Sequence, residues 1–170
     1  MSALPALDPQ QIHARNVLAL DLGTKCGYAL RRRDGSITHG TESFAPRKSW
    51  HEGQRWLNFR MWLTAIIERE QVHVIAFEAV MSHGTKARQN ILAAHAYGGF
   101  LACMHAVAAT RNIECIGVAV PTAKKHWTGS GRADKTAMMA EAVRRGFNPG
   151  TDNAADALAV LSWACAQEEK

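Results

Sequence analysis

Two acids that close apolar runs mark where chemistry could occur in this chain. Asp21 follows Val17, Leu18, Ala19 and Leu20, and Glu78 ends the run VHVIAFE. Short, continuously apolar runs of this kind read as strands buried on both faces of a sheet. A carboxylate at the end of such a strand is costly to desolvate unless a cation, a metal or backbone donors meet it. For Asp21 alone, the glycine turn after it supplies a local reading, because an aspartate there bonds the amides ahead of it. Two such acids on neighbouring strands alter the balance. They repel, and one proton affinity rises unless a divalent cation lies between them. Magnesium meets that need, taking hard oxygen ligands while keeping several waters.

The cations are grouped as well. Lysine and arginine outnumber the acids by a net charge of +5, and they fall at 31–33, 47–48, Lys86 with Arg88, Lys124 with Lys125, Arg132 with Lys135, and 144–145. A polyanion bound through counterion release is one reading and solvated helix faces are the other. Lys86 and Arg88 lie in a polar stretch, 81–90, that reads as a loop with charges available for phosphates. Lys135 sits in the first turn of an expected helix capped by Asp134, where a cation opposes the macrodipole. It makes more sense if an anion docks on that helix end.

The elements that would position these groups follow from periodicity and turn chemistry. Strands are expected at 17–20, 27–32, 37–43, 72–78 and 114–118. Asp34-Gly35 reads as a two-residue hairpin turn needing positive φ, so the sheet starts as an antiparallel meander. Tryptophans, phenylalanine and isoleucines at helical spacing predict an amphipathic helix over 50–70. The stretch 91–110 is apolar nearly all round and rich in alanine and glycine, which places it either inside the core or against a second subunit. Pro121 is suited to open a helix that stops at Gly129, the helix capped by Asp134 runs to Gly146, and a last helix covers about 154–167. In that last helix Asn153 reads as N-cap with Asp156 three residues on, as in a capping pair.

With 170 residues, 47% of them apolar, and no low-complexity tract, one domain over 16–170 is expected, behind a poorly ordered tail at 1–15. No run of signal-peptide or bilayer-spanning length is read from the sequence, which points to a soluble, cytoplasmic protein without a membrane partner. The four cysteines form no C-x-x-C pair and read as free thiols.

Four segments in order, LALDLGTKCGY, VIAFEAV, PTAKKHWTGSGRADKT and DNAADALA, resemble the RuvC-type Holliday junction resolvases of the ribonuclease H-like superfamily. The resemblance covers nearly the whole chain after Asn16. It implies an α/β fold with a five-stranded mixed sheet ordered 3-2-1-4-5 and helices on both faces. Carried over residue by residue, the family's acids fall on Asp21, Glu78 and Asp156. A fourth acid falls on Asn153, with Asp152 beside it as the substitute. The two lysines near the scissile phosphate fall on Lys124 and Lys135, and the wedge that opens the junction falls on Met81 instead of an aromatic residue. Phosphodiester hydrolysis with two magnesium ions, for which manganese can substitute, is thereby implied. The expected partners are branched DNA, contacted through Met81, Lys86, Arg88, Lys125 and Arg132, and a second copy of the chain through the helix 91–110. A catalytically weakened DNA-binding relative, and a ribonuclease H-like nuclease acting on flaps or RNA:DNA hybrids, are the alternatives. A two-domain actin-like or sugar-kinase ATPase needs twice this length.

Overall fold

Val17–Asp21 forms β1, the middle strand of a five-stranded sheet in the computed structural model, which describes residues 15–80 and 87–168. Its antiparallel partner β2 (Lys25–Arg31) turns back into β3 (Ile37–Ser43) at the sheet edge. On the other side β4 (Val74–Ala79) runs parallel to β1, and β5 (Glu114–Ala119) parallel to β4. The order β3-β2-β1-β4-β5 is the one expected. At the β2–β3 turn only Gly35 has positive φ, at 82°. Asp34 keeps ordinary backbone geometry, and its carboxylate accepts from the Ser36 amide at 2.9 Å. The turn is thus an Asx turn with one left-handed residue, where a pair had been expected.

Strand alternation divides the core in two. Leu18, Leu20, Ile75 and Phe77 face α1 (Gln54–Glu70) and α2 (Ala87–Ala109), where Phe44, Phe59, Trp62 and Phe100 pack largely edge to face. Val17, Ala19, Ala29, Val74 and Ala76 face the opposite layer, made of α3 (Val120–Thr128), α4 (Lys135–Arg144) and α5 (Asp152–Glu168). By the same alternation Asp21 and Glu78 belong to the second face, the one covered by α5.

The helix α2 starts earlier than expected and is not enclosed in the core. It begins at Ala87, so 87–90 are helical and not loop. It is also not buried all round: Phe100, Met104, Val107 and Ala108 enter the core, while Ile91 is 52% and Leu92 74% exposed. The span Ile91–Ala109 is, by length and composition, long and apolar enough to cross a membrane, contrary to the sequence reading. In this fold its apolar side is satisfied by α1 and the sheet. Gly99 makes that packing possible, since a Cβ there would stand 2.5 Å from the Trp56 ring.

Candidate active site

Leu20 pairs with Phe77 across β1 and β4, so the next residues, Asp21 and Glu78, leave parallel neighbouring strands side by side. Their carboxyl groups share a hydrogen bond, with Asp156 close enough to act on both electrostatically. Burial, then repulsion from Glu78, Asp156 and Asp152, drives the Asp21 carboxyl far above its usual range. Burial and Asp156 raise Glu78 in the same direction. Asp156 is raised by burial against the opposing pull of Lys124 and Lys135. Three carboxyl groups are therefore held where burial and mutual repulsion outweigh the nearby lysines, the electrostatic condition that a hard divalent cation relieves. Among the described residues no three His, Cys, Asp or Glu side chains converge as a ready cage. That is compatible with magnesium, which is bound through one or two carboxylates with waters and substrate phosphates completing the sphere.

The approach of α5 to the strands depends on Gly27. This residue pairs with Asp21 across β2 and β1, and a Cβ on it would fall 1.9 Å from the carbonyl oxygen of Asn153. Only glycine lets the first turn of α5, and hence Asp156, come so near to Asp21. The helix is capped by Thr151, whose Oγ1 accepts from the Ala154 amide at 3.1 Å and meets Thr41 Oγ1 on β3 at 2.5 Å. Asn153, expected as the cap, lies inside the helix, because α5 begins at Asp152. Tyr97 on α2 donates to the Glu78 carbonyl at 3.0 Å and accepts from the Val80 amide at 3.2 Å, fixing the end of β4.

The lysines border the acids. Lys124 Nζ donates to the Ala133 carbonyl at 2.9 Å, tying α3 to the loop before α4, and its charge favours the ionised forms of Glu78 and Asp156. Lys135, in the first turn of α4, finds its anion within the chain: it forms an ion pair with Asp152. The pairing raises the lysine and lowers the aspartate from their ordinary values. Asp134 caps α4 as expected, accepting from Ala137 N at 2.8 Å.

No protein-family model matches the chain. A crossover junction endodeoxyribonuclease RuvC from Anaeromyxobacter sp. (strain Fw109-5) is 31% identical over 147 residues, covering 84% of this chain and 69% of the relative. The chain belongs to the RuvC family. RuvC from T. thermophilus in complex with a Holliday junction substrate has the same fold, with a TM-score of 0.74 at 19% identity over 92% of this chain and 96% of that one. The T. thermophilus protein in a second structure gives 0.69 at 18%, covering 91% and 96%. The yeast mitochondrial resolvase Ydc2 gives 0.58 at 14%, covering 86% and 75%.

Of the positions named from the RuvC resemblance, Asp21, Glu78, Asp156, Lys124, Lys135 and Asp152 gather at one end of the sheet. Lys125 and Arg132 are exposed on α3 and the loop after it. Met81 and Lys86 lie outside the described residues, and Arg88 is placed only as a position in the first turn of α2. The expected tail at 1–15 falls outside the description except for Arg15, which pairs with Glu114 and Glu168. Gly27, Thr151 and Tyr97 were missed as positioning residues. Gly27 stood in the quoted motif, but the need for it comes from α5, which is 125 or more positions later in the sequence.

Proposed function

We propose that this RuvC-family chain is a divalent-metal-dependent endodeoxyribonuclease that cleaves four-way junction DNA, acting in the cytoplasm as a homodimer. The observation that carries the reading is the meeting of Asp21 and Glu78, at the ends of adjacent parallel strands, with Asp156 of α5, and with Lys124 and Lys135 beside them. Asp21, Glu78 and Asp156 would hold the cations, magnesium by preference with manganese able to substitute, and Asp152 supplies a fourth charge where Asn153 brings only an amide. Bound cations would supply activation of the attacking water and relief of charge on the departing 3′ oxygen, leaving 5′-phosphate and 3′-hydroxyl ends.

The chain's own contribution is electrostatic placement. Lys124 holds the Ala133 loop and partly offsets the burial that raises Glu78 and Asp156. The Lys135 side chain, 83% exposed, exchanges Asp152 for the scissile phosphate when DNA arrives, which returns the full charge of Asp152 to the acids. Lys125 and Arg132, with Lys86 and Arg88, hold the backbone phosphates, and Met81 is the wedge between bases. A thioether inserts but forgoes aromatic stacking worth about 1–3 kcal/mol per base.

Incubation of the purified protein with a labelled mobile four-way junction, a linear duplex and an RNA:DNA hybrid, with and without Mg²⁺, tests this reading. Metal-dependent cleavage of the junction in preference to the other two is expected. Preferred cleavage of the hybrid would reassign the substrate, and junction binding without cleavage in either Mg²⁺ or Mn²⁺ would make the chain a binding protein.

A further inference from the structure

Seven arginines in the described part of the chain, Arg15, Arg31, Arg32, Arg69, Arg111, Arg144 and Arg145, are each paired with a carboxylate. Arg33, Arg47, Arg60 and Arg132, all exposed, are not, and neither is Arg55, which differs from those four in being half-buried. It is the second residue of α1, a helix with no acid in its first turn and no side-chain cap. Its guanidinium lies 4.7 Å from the ring centroid of Trp56 and 5.3 Å from that of Phe100. One Nη donates to Thr24 Oγ1 at 2.6 Å, and Nε is buried without a hydrogen-bond partner. Among the described residues no carboxylate stands within ion-pairing distance of it.

Removing a guanidinium from water without a counter-charge is unfavourable, and leaving one of its donors unpaired adds to the cost. Burial alone accounts for the direction in which the group is perturbed, and no acid offsets it. Arginine stays charged under any condition the fold survives. The charge therefore has no acidic partner among the described residues. Its position says what would supply one. Thr24 lies three residues after Asp21, in the turn that joins β1 to β2, and its carbonyl accepts from the Phe44 amide at 2.7 Å. The turn is thus held from both sides while Arg55 lies against its α1 side, across from the acids, which face α5. Three residues of chain span at most about 11 Å, so a strand with one phosphate at the acids would have a neighbouring phosphate within reach of this turn.

We propose that Arg55, together with the Thr24 hydroxyl, binds a backbone phosphate flanking the scissile one in the cleaved strand. The site would take a phosphodiester, using the planar fork of the guanidinium for two donors where an ammonium offers one point contact. Trp56 and Phe100 hold the guanidinium plane in place, so little side-chain freedom is lost on binding. This inference rests on the junction-cleaving reading above.

The test is a coupling measurement between residue 55 and single phosphates. The full-length protein in EDTA is titrated with four-way junctions, each carrying one neutral methylphosphonate linkage near the cleavage point, and compared with Arg55→Met, which keeps an unbranched apolar chain against Trp56 and Phe100. One linkage is expected at which neutralisation weakens wild type but has no further effect on Arg55→Met. The affinity gap between the two proteins on unmodified junction should narrow about 3.5-fold between 50 and 200 mM salt, as loss of one phosphate contact requires. Additive effects at every linkage, with an unchanged salt slope, would overturn the proposal and make Arg55 a clamp on the Thr24 turn. Should Arg55→Met fail to fold, the same cycle with Arg55→Lys decides: partial loss of coupling confined to one linkage supports the proposal, and full additivity overturns it. Wild type that binds junction no better than duplex would instead remove the underlying reading, and this inference with it.

Discussion

At Asp21 the energetics of the site are concentrated in one proton. Burial and the neighbouring acids raise its folded value above the ordinary 3.8, so the folded chain binds that proton more tightly than the unfolded chain does. The sign follows: the charged form costs stability, the cost is absent below about pH 4, and it grows as pH rises towards the folded value. Asp21→Asn should therefore melt higher than wild type in EDTA at pH 8, by roughly 2–4 °C for each kcal/mol recovered, with the gap closing towards pH 4. Differential scanning fluorimetry across that range checks it. Added Mg²⁺ should raise the melting point of wild type and leave the variant nearly unmoved. The exposed ammonium of Lys135 rests on Asp152. Lys135→Ala should slow single-turnover cleavage by tenfold or more while changing junction affinity only a few-fold, because one phosphate contact among many adds little to binding but acts on the reacting group. Equal losses in both would assign the lysine to backbone binding.

Among the elements, the join between β2 and α5 decides whether the acids meet. Gly27→Ala places a methyl carbon against the Asn153 carbonyl, and backbone cannot yield as a flexible side chain can. Overpacking of that sort costs about 1–3 kcal/mol, so urea denaturation should show a loss in that range. Cleavage should fall further than stability explains, since the shift moves Asp156. The strands and the two strand-end acids were legible in the sequence because period-two alternation and apolar runs are local signals, and Asp21 and Glu78 interrupt them; the order of the strands came from the RuvC resemblance and the sheet bears it out. What could not be read is contact between distant segments. The Thr151 cap needs Thr41 on β3, the pairing of Lys135 with Asp152 needs α4 set against α5, and the demand on Gly27 exists only once α5 docks. Of the two placements expected for α2, enclosure in the core fails for a related reason: a run rich in alanine and glycine is apolar by composition without being enclosed, and its outer side faces solvent in the single chain.

For the whole molecule, that outer side is the expected contact between two copies. Ile91 and Leu92 stand exposed at its start, followed by small residues that allow close approach of a second helix. Nicking two strands of a junction needs two acid sites related by a dyad. Leu92→Glu should shift the protein from dimer to monomer in sedimentation velocity at micromolar concentration and turn paired nicks into single ones. A wild-type monomer, with junction as well as without it, would exclude this arrangement. The central claim, that the acids joined at the ends of β1 and β4 form a metal-dependent nuclease centre, is tested most directly by comparing wild type with Asp21→Asn on a labelled four-way junction in Mg²⁺, with binding and cleavage followed on the same samples. The account predicts that wild type cleaves the junction, whereas Asp21→Asn binds it as tightly and yields no product. Cleavage by Asp21→Asn at the wild-type rate would contradict it.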